Sequence, residues 1–289
     1  MAAVRAALIS STFRSLCMNQ FISQSGSRPT LRELWQTRYL VGQLMWRDLT
    51  VRYRQTWLGG LWAVINPALN LAMYYAVFGL MVRFSPPEYQ APYALVLLCG
   101  LVLWMLFAGV VNAVGDTLLN NLHLVQKIYF PRVALTLAGL GVSWVDFMLA
   151  LILLGVLLPL CGVPLRVERL PVLLLSAGLT ALLAWGVGCL VAIAKLRFRD
   201  FRHIVPLLLQ GMFYATPVVW TLGLLPAAWH PFLALNPLNG LTGLCRYALL
   251  DGPVPPVSSL CVSLVGSLLF AAVGYLCFVR YEARVIDRQ

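Results

Sequence analysis

Few residues in this chain are placed to do chemistry. Asn66, Asn70, Tyr74 and Phe78 recur every four residues beside Pro67 and Tyr75, and a second series runs Gln210, Phe213, Tyr214, Pro217, Trp220. On a helix, side chains four apart share one face. Amides beside aromatic rings suit sugars, because rings stack on C–H faces while amides exchange hydrogen bonds with hydroxyls. The same faces would also serve helix packing or a subunit contact, and spacing alone leaves both readings open. Asp146 and Asp116 fall inside apolar stretches, where an ionisable group marks a functional site by default. A single Asp bonded to a neighbouring helix is also an ordinary structural device, and no second acid shares the depth of Asp146 for paired acid–base work. The third feature is "KLRFRDFRHIVP" at 195–206, which interleaves Arg197, Arg199 and Arg202 with Phe198 and Phe201.

Other chemistries are missing from the sequence. It contains no G-x-x-x-x-G-K-[ST], and neither Lys127 nor Lys195 follows a glycine, so no loop of the usual kind is present to cradle ATP phosphates. His123, His203 and His230 lie far apart, outside metal-ligand spacing; no metal or other cofactor is expected in this chain. A membrane-embedded glycosyltransferase would need acids or a base gathered at one membrane face, and the 10 Asp and Glu residues do not cluster.

The elements that must position these residues follow from composition. Of the 289 residues, 61% are hydrophobic and 11% charged, more apolar than one soluble core can bury. Six stretches, about 61–83, 93–115, 133–160, 171–194, 204–225 and 257–279, have the roughly 20 apolar residues that a helix needs to cross a bilayer. Their runs are too long and unbroken for barrel strands. The expected fold class is therefore an all-α integral membrane protein with six transmembrane helices. With both termini inside, Lys and Arg crowd the cytoplasmic side and only Arg83, Arg166, Arg169 and Arg246 fall outside, as the positive-inside rule requires. The net charge of +11 is thus a topology signal, and no nucleic-acid partner is implied. Residues 1–30 and 280–289 are expected to be cytoplasmic tails. The seven cysteines include no C-x-x-C pair; Cys161 and Cys245 both fall on the outer side, with nothing to show that they pair.

Two further segments flank the spans. Residues 31–54 gather Trp35, Val41, Met45, Trp46 and Leu49 on one side and Arg32, Gln43, Arg47, Asp48 and Arg54 on the other, the pattern of an amphipathic helix lying in the membrane interface; packing on a partner is the alternative. Residues 226–256 carry six prolines yet keep Trp229, Phe232 and Tyr247. Short re-entrant outer helices before the last span fit such a segment.

The order of parts resembles a known family. "RYRQTWLGGLWAVINPAL" after the interface helix, "KIYFPR" after the second span, "LRFRDFRHIVPLLLQ" after the fourth, "PVVW" in the fifth and "LNPLNGLTGLCRYALL" before the last are similar to the permease subunit of ABC-2 type polysaccharide exporters. Asn66-Pro67 after Leu58, Gly59, Leu61 and Trp62 resembles the O-antigen and teichoic-acid branch. The resemblance implies a homodimer in the bacterial inner membrane that moves a lipid-linked polysaccharide and docks two copies of a cytoplasmic ATPase, which binds the ATP and Mg. It implies a substrate path along Asn66, Asn70, Tyr74, Tyr75, Phe78, Gln210, Phe213, Tyr214 and Trp220. By the same resemblance His123, Lys127, Tyr129, Phe130 and Arg132, with Arg197, Phe198, Arg199, Asp200, Phe201 and Arg202, are ATPase-coupling residues. The interface helix, with Trp35, Arg38, Trp46, Arg47, Arg52 and Arg54, would admit the lipid-linked head group, and 226–250 would hold the outer gate helices. An ABC-2 exporter of drugs or small lipids shares most of these features.

Because the phosphate loop is missing, the purified chain is expected to hydrolyse no ATP until a separate ATPase subunit is added. Phosphate release measured on the chain alone and on the mixture checks this; turnover by the chain alone, in a preparation free of other ATPases, contradicts it.

Overall fold

The computed structural model describes residues 37–54, 57–83, 86–122, 131–164, 166–224, 226 and 229–286. Among them there is no strand. The helices are α1 (Arg38–Arg54), α2 (Trp62–Tyr74), α3 (Tyr93–Asn120), α4 (Val133–Leu160), α5 (Leu170–Arg197), α6 (Phe201–Ala215), α7 (His230–Ala234), α8 (Pro237–Leu250) and α9 (Val257–Ile286). A 3-10 turn at Gly59–Leu61 leads into α2, and a π-helical stretch at Tyr75–Met81 prolongs it.

The helix α3 is the pillar. Most side chains from Leu95 to Leu118 are buried, and α5, α4 and α8 pack around it. Apolar side chains gain little by leaving lipid for protein, so close helix contacts here depend on small residues that let backbones approach. A Cβ on Gly186 of α5 would stand 2.2 Å from the Phe270 carbonyl oxygen of α9, and one on Gly274 of α9 would stand 2.2 Å from the Gly186 oxygen. Where α8 meets α9, a Cβ on Gly240 would lie 2.7 Å from the Ser259 oxygen, and the Ser263 hydroxyl donates to the Pro237 carbonyl at 2.6 Å.

Among the described residues, five helices are long and apolar enough to cross a membrane: Gly59–Met81, Tyr93–Asn120, Val133–Leu160, Val167–Arg197 and Val257–Tyr281. The stretch read as a span over 204–225 is not one continuous helix. It is the 15-residue α6, about 22 Å long, followed by backbone that leaves the helix at Thr216, whose φ −101° and ψ 143° are extended. The cause is Pro217, which disfavours the helical conformation of the residue before it and supplies no N–H to the ladder.

That break lies inside the protein, with Thr216, Val218 and Val219 buried, so its freed carbonyls need donors. Side chains supply them. The Arg246 guanidinium of α8 donates to the carbonyls of Val218 at 2.7 Å, Trp220 at 3.4 Å and, on α3, Val96 at 3.2 Å. The Tyr93 hydroxyl donates to Val219 at 2.8 Å, and the Asn236 amide donates to Ala215 and to the Thr216 hydroxyl oxygen. Arg246 is 2% exposed. Beside it, burial raises the Tyr89 phenol above its ordinary pKa and the guanidinium opposes the shift.

The interface-helix expectation covers 31–54, of which α1 represents the described part. On it Leu40, Val41, Leu44 and Met45 pack against Ala134, Leu135 and Ala138 of α4, while Trp46 turns outward. The segment 226–256 contains the two helices α7 and α8, and α8 is largely buried. Cys161 and Cys245 are both free.

Gly100 of α3 makes room for the break, since a Cβ there would stand 2.7 Å from the Val218 oxygen and 3.0 Å from an Arg246 nitrogen. Gly100→Ala is expected to cost about 1–3 kcal/mol through overpacking. Gly178→Ala, where a Cβ meets nothing within 4 Å, is the matched control and should not lower stability. Thermal unfolding of both variants in detergent checks the contrast.

Candidate functional site

The two stripes read from the sequence meet across one cavity of about 650 Å³. From α2 it takes Trp62, Asn66, Asn70 and Tyr74, spaced one helical turn apart; from α6 it takes Pro206, Leu209, Gln210 and Phe213. The sequence reading did not single out the back wall, where α3 supplies Trp104 and Asn112 and α4 supplies Ser143 and Phe147. From Leu101 to Asn112 the cavity follows α3 for about 16 Å.

Its two ends differ in chemistry. Near one end Asp146 of α4 accepts from Arg52 of α1 at 2.5 Å, so the carboxylate flagged in the sequence is ion-paired and ties the interface helix to the cavity wall. The other end is aromatic. Tyr74 and Phe213 have ring centroids 4.9 Å apart, and Trp104 meets Phe213 edge-on at 5.5 Å. Beyond these rings Tyr93, Leu97, Leu101, Val218 and Val219 form an apolar cluster, which sets the Arg246-held break behind the cavity's aromatic end. Asn70 turns its amide N–H onto the Asn66 carbonyl at 2.8 Å.

Four residues predicted for the path stand off this cavity. Tyr75 stacks on Tyr93 at 6.3 Å, and Phe78 packs on the apolar cluster. Tyr214 projects outward, half-exposed, with its ring edge-on to Phe213. Trp220 donates its indole N–H to the Tyr214 carbonyl at 3.0 Å. Tyr75 and Tyr214 directly follow the cavity residues Tyr74 and Phe213 but point off their faces.

The basic turn between α5 and α6 is exposed from Arg197 to Asp200. Arg197 lies over the Phe198 ring at 5.3 Å, Phe198 leans on Phe201 at 6.1 Å, and Phe201 packs on the core. Asp200 precedes α6, its carbonyl accepting from His203 and Ile204; Arg202 is exposed. Arg132 stands at the start of α4. Trp35, His123, Lys127, Tyr129 and Phe130 lie outside the described residues. Arg54 closes α1. Arg38 donates to Tyr39, and Arg47 bonds Asp48 and Asn121 at the C-terminal end of α3. Nearby, Lys195 of α5, 4% exposed, donates to Asp116 of α3 at 2.8 Å, which accounts for the second intramembrane carboxylate.

Comparison with known proteins agrees with this arrangement of parts. The model of the ABC-2 type transporter family matches residues 39–250. The O-antigen export system permease protein RfbA of Myxococcus xanthus is 33% identical over 215 residues, covering 73% of this chain and 80% of its own length. RfbA of Klebsiella pneumoniae is 28% identical over 195 residues, covering 68% and 74%. The polysialic acid transport protein KpsM of Escherichia coli is 22% identical over 244 residues, covering 84% and 94%.

The two ion pairs differ in burial and therefore in what losing the acid should cost. Asp116→Asn leaves a buried ammonium without its carboxylate, an expected loss of about 3–5 kcal/mol. In Asp146→Asn the Arg52 side chain, 54% exposed, can turn to water, and the loss should stay within about 1 kcal/mol. Denaturation midpoints of the two variants, measured side by side, check the ranking.

Proposed function

Because the chain belongs to the ABC-2 type transporter family, we propose that it is the transmembrane permease subunit of an ATP-driven exporter that moves a lipid-linked polysaccharide of the O-antigen type across the bacterial inner membrane. The observation that carries this reading is the cavity, where amides from α2, α3 and α6 alternate with the rings of Trp62, Trp104, Tyr74 and Phe213. Rings and amides together hold a sugar weakly at many points, which a sliding polymer needs.

The chain works as a homodimer. Asn66 on α2 and Gln210 on α6 are exposed in the single chain, and amides on membrane helices belong against protein or a water-filled path. A second copy facing these helices would close the cavity into a conduit. The broken α6 segment serves as the sixth pass, with Val218 and Val219 toward the outer side and α7 and α8 as the outer gate. Both termini are cytoplasmic. Two copies of a cytoplasmic ATPase, holding ATP and Mg, dock on the basic turn, where Phe198 and three arginines give a short apolar and charged plug, and on residues 119–132. Helix α1, with Trp46 outward and Arg52 at the cavity, receives the lipid-linked head group.

Replacing Tyr74 and Phe213 together by Ala is expected to slow delivery of polysaccharide to the cell surface several-fold without loss of the protein from the membrane. A Trp at Asn70 should block delivery by filling the cavity. Surface polysaccharide per cell, normalised to permease level, is the readout; wild-type delivery by both variants would remove this cavity from the path.

A further inference from the structure

We propose that the exported polymer is uncharged along its repeats, a neutral polysaccharide in contrast to one bearing a carboxylate on each sugar. The inference rests on the polysaccharide reading above and narrows its substrate class. Among the described residues that line the cavity, the charged ones are Arg52 and Asp146, and they neutralise each other across a 2.5 Å hydrogen bond. The rest of its polar lining is neutral: Asn66, Asn70, Asn112, Gln210, Tyr74 and Ser143. Amides and hydroxyls each both donate and accept, so they match sugar hydroxyls, which do the same. A carboxylate accepts only, and taking it out of water costs several kcal/mol unless a cation meets it.

The length of the cavity makes this cost cumulative. A polyacid threading about 16 Å of helix would bring more than one carboxylate into the cavity together, against one guanidinium already bonded to Asp146. The cation behind the aromatic end gives no relief, because Arg246 is 2% exposed and its N–H groups point at the carbonyls of Val96, Val218 and Trp220. A neutral chain meets none of these costs, and its C–H faces find Trp62, Trp104 and Phe213.

Saturation-transfer NMR on the full chain in lipid nanodiscs tests the inference, with a neutral mannose oligosaccharide and an oligosialic acid of equal length as probes at physiological salt. The neutral probe is expected to take up saturation at least tenfold more effectively. Asp146→Asn and Gln210→Lys each add one unit of positive charge to the lining, and each should raise the oligosialic acid signal several-fold. Equal or stronger transfer to the acid on the wild-type chain overturns the inference and leaves polysaccharide export standing, as does a failure of both added charges to raise the acid signal. Transfer to neither probe, on wild type and variants alike, counts against the polysaccharide reading itself.

Discussion

Everything around the cavity depends on how a buried break in a membrane helix is kept hydrogen-bonded. Pro217 ends α6 in the apolar interior, where an unsatisfied carbonyl costs several kcal/mol because no water is at hand. Arg246, Tyr93 and Asn236 reach the break from three sides, so carbonyls at Ala215, Val218, Val219 and Trp220 all have donors. Arginine suits the central place because its planar fork carries five N–H groups, stays charged, and is more weakly hydrated than an ammonium. In the same act the guanidinium joins α8 to α3 through Val96. The bond network that repairs the break therefore also positions α8 and the cluster behind the cavity's aromatic end.

The bundle divides into a tight part and a looser one. Helices α5, α8 and α9 approach through Gly186, Gly240 and Gly274, where a side chain would strike backbone; such contacts have one workable geometry. Helices α2 and α6 attach to that scaffold mainly through rings, Tyr74 and Phe213 against Trp104, and their other faces are exposed. Ring contacts can slide without losing all their energy, whereas interlocked backbones cannot. The walls that face the cavity are thus also the walls that can move at least cost.

Charge is distributed by the same logic. Inside the bundle each acid has a cation: Asp116 has Lys195, and Asp146 has Arg52. Where α5 begins and α8 ends, Asp251 accepts from both Arg166 and Arg169, and Arg169 also caps the Tyr247 carbonyl and covers its ring. Asp251 can take this place because it closes α8 in the left-handed conformation, φ 57°, which Asp tolerates better than most side chains. Pairing removes net charge from the lining and leaves sugar-like polarity behind.

From the sequence alone one could read the membrane class, the helical character and the family, because each depends on local runs and spacings that survive without a fold. The stripes of α2 and α6 were legible for the same reason: Asn66, Asn70 and Tyr74 lie one turn apart whatever surrounds them. The helix face actually used was not legible, and Tyr75, Phe78 and Tyr214 turned away because rotation about the helix axis is set by neighbours, while Trp220 lies beyond the break that ends α6. Trp104, Asn112 and Ser143 went unnoticed since single polar or aromatic residues in apolar spans carry no pattern. The broken span was half visible in Pro217, but apolar composition made 204–225 look continuous, and only tertiary structure could provide the distant donors that make a buried break affordable. Arg246 shows the limit most clearly. Counted along the chain it was one outside charge in a topology tally, while its partners lie 26 to 150 residues away, a pairing that no local rule encodes.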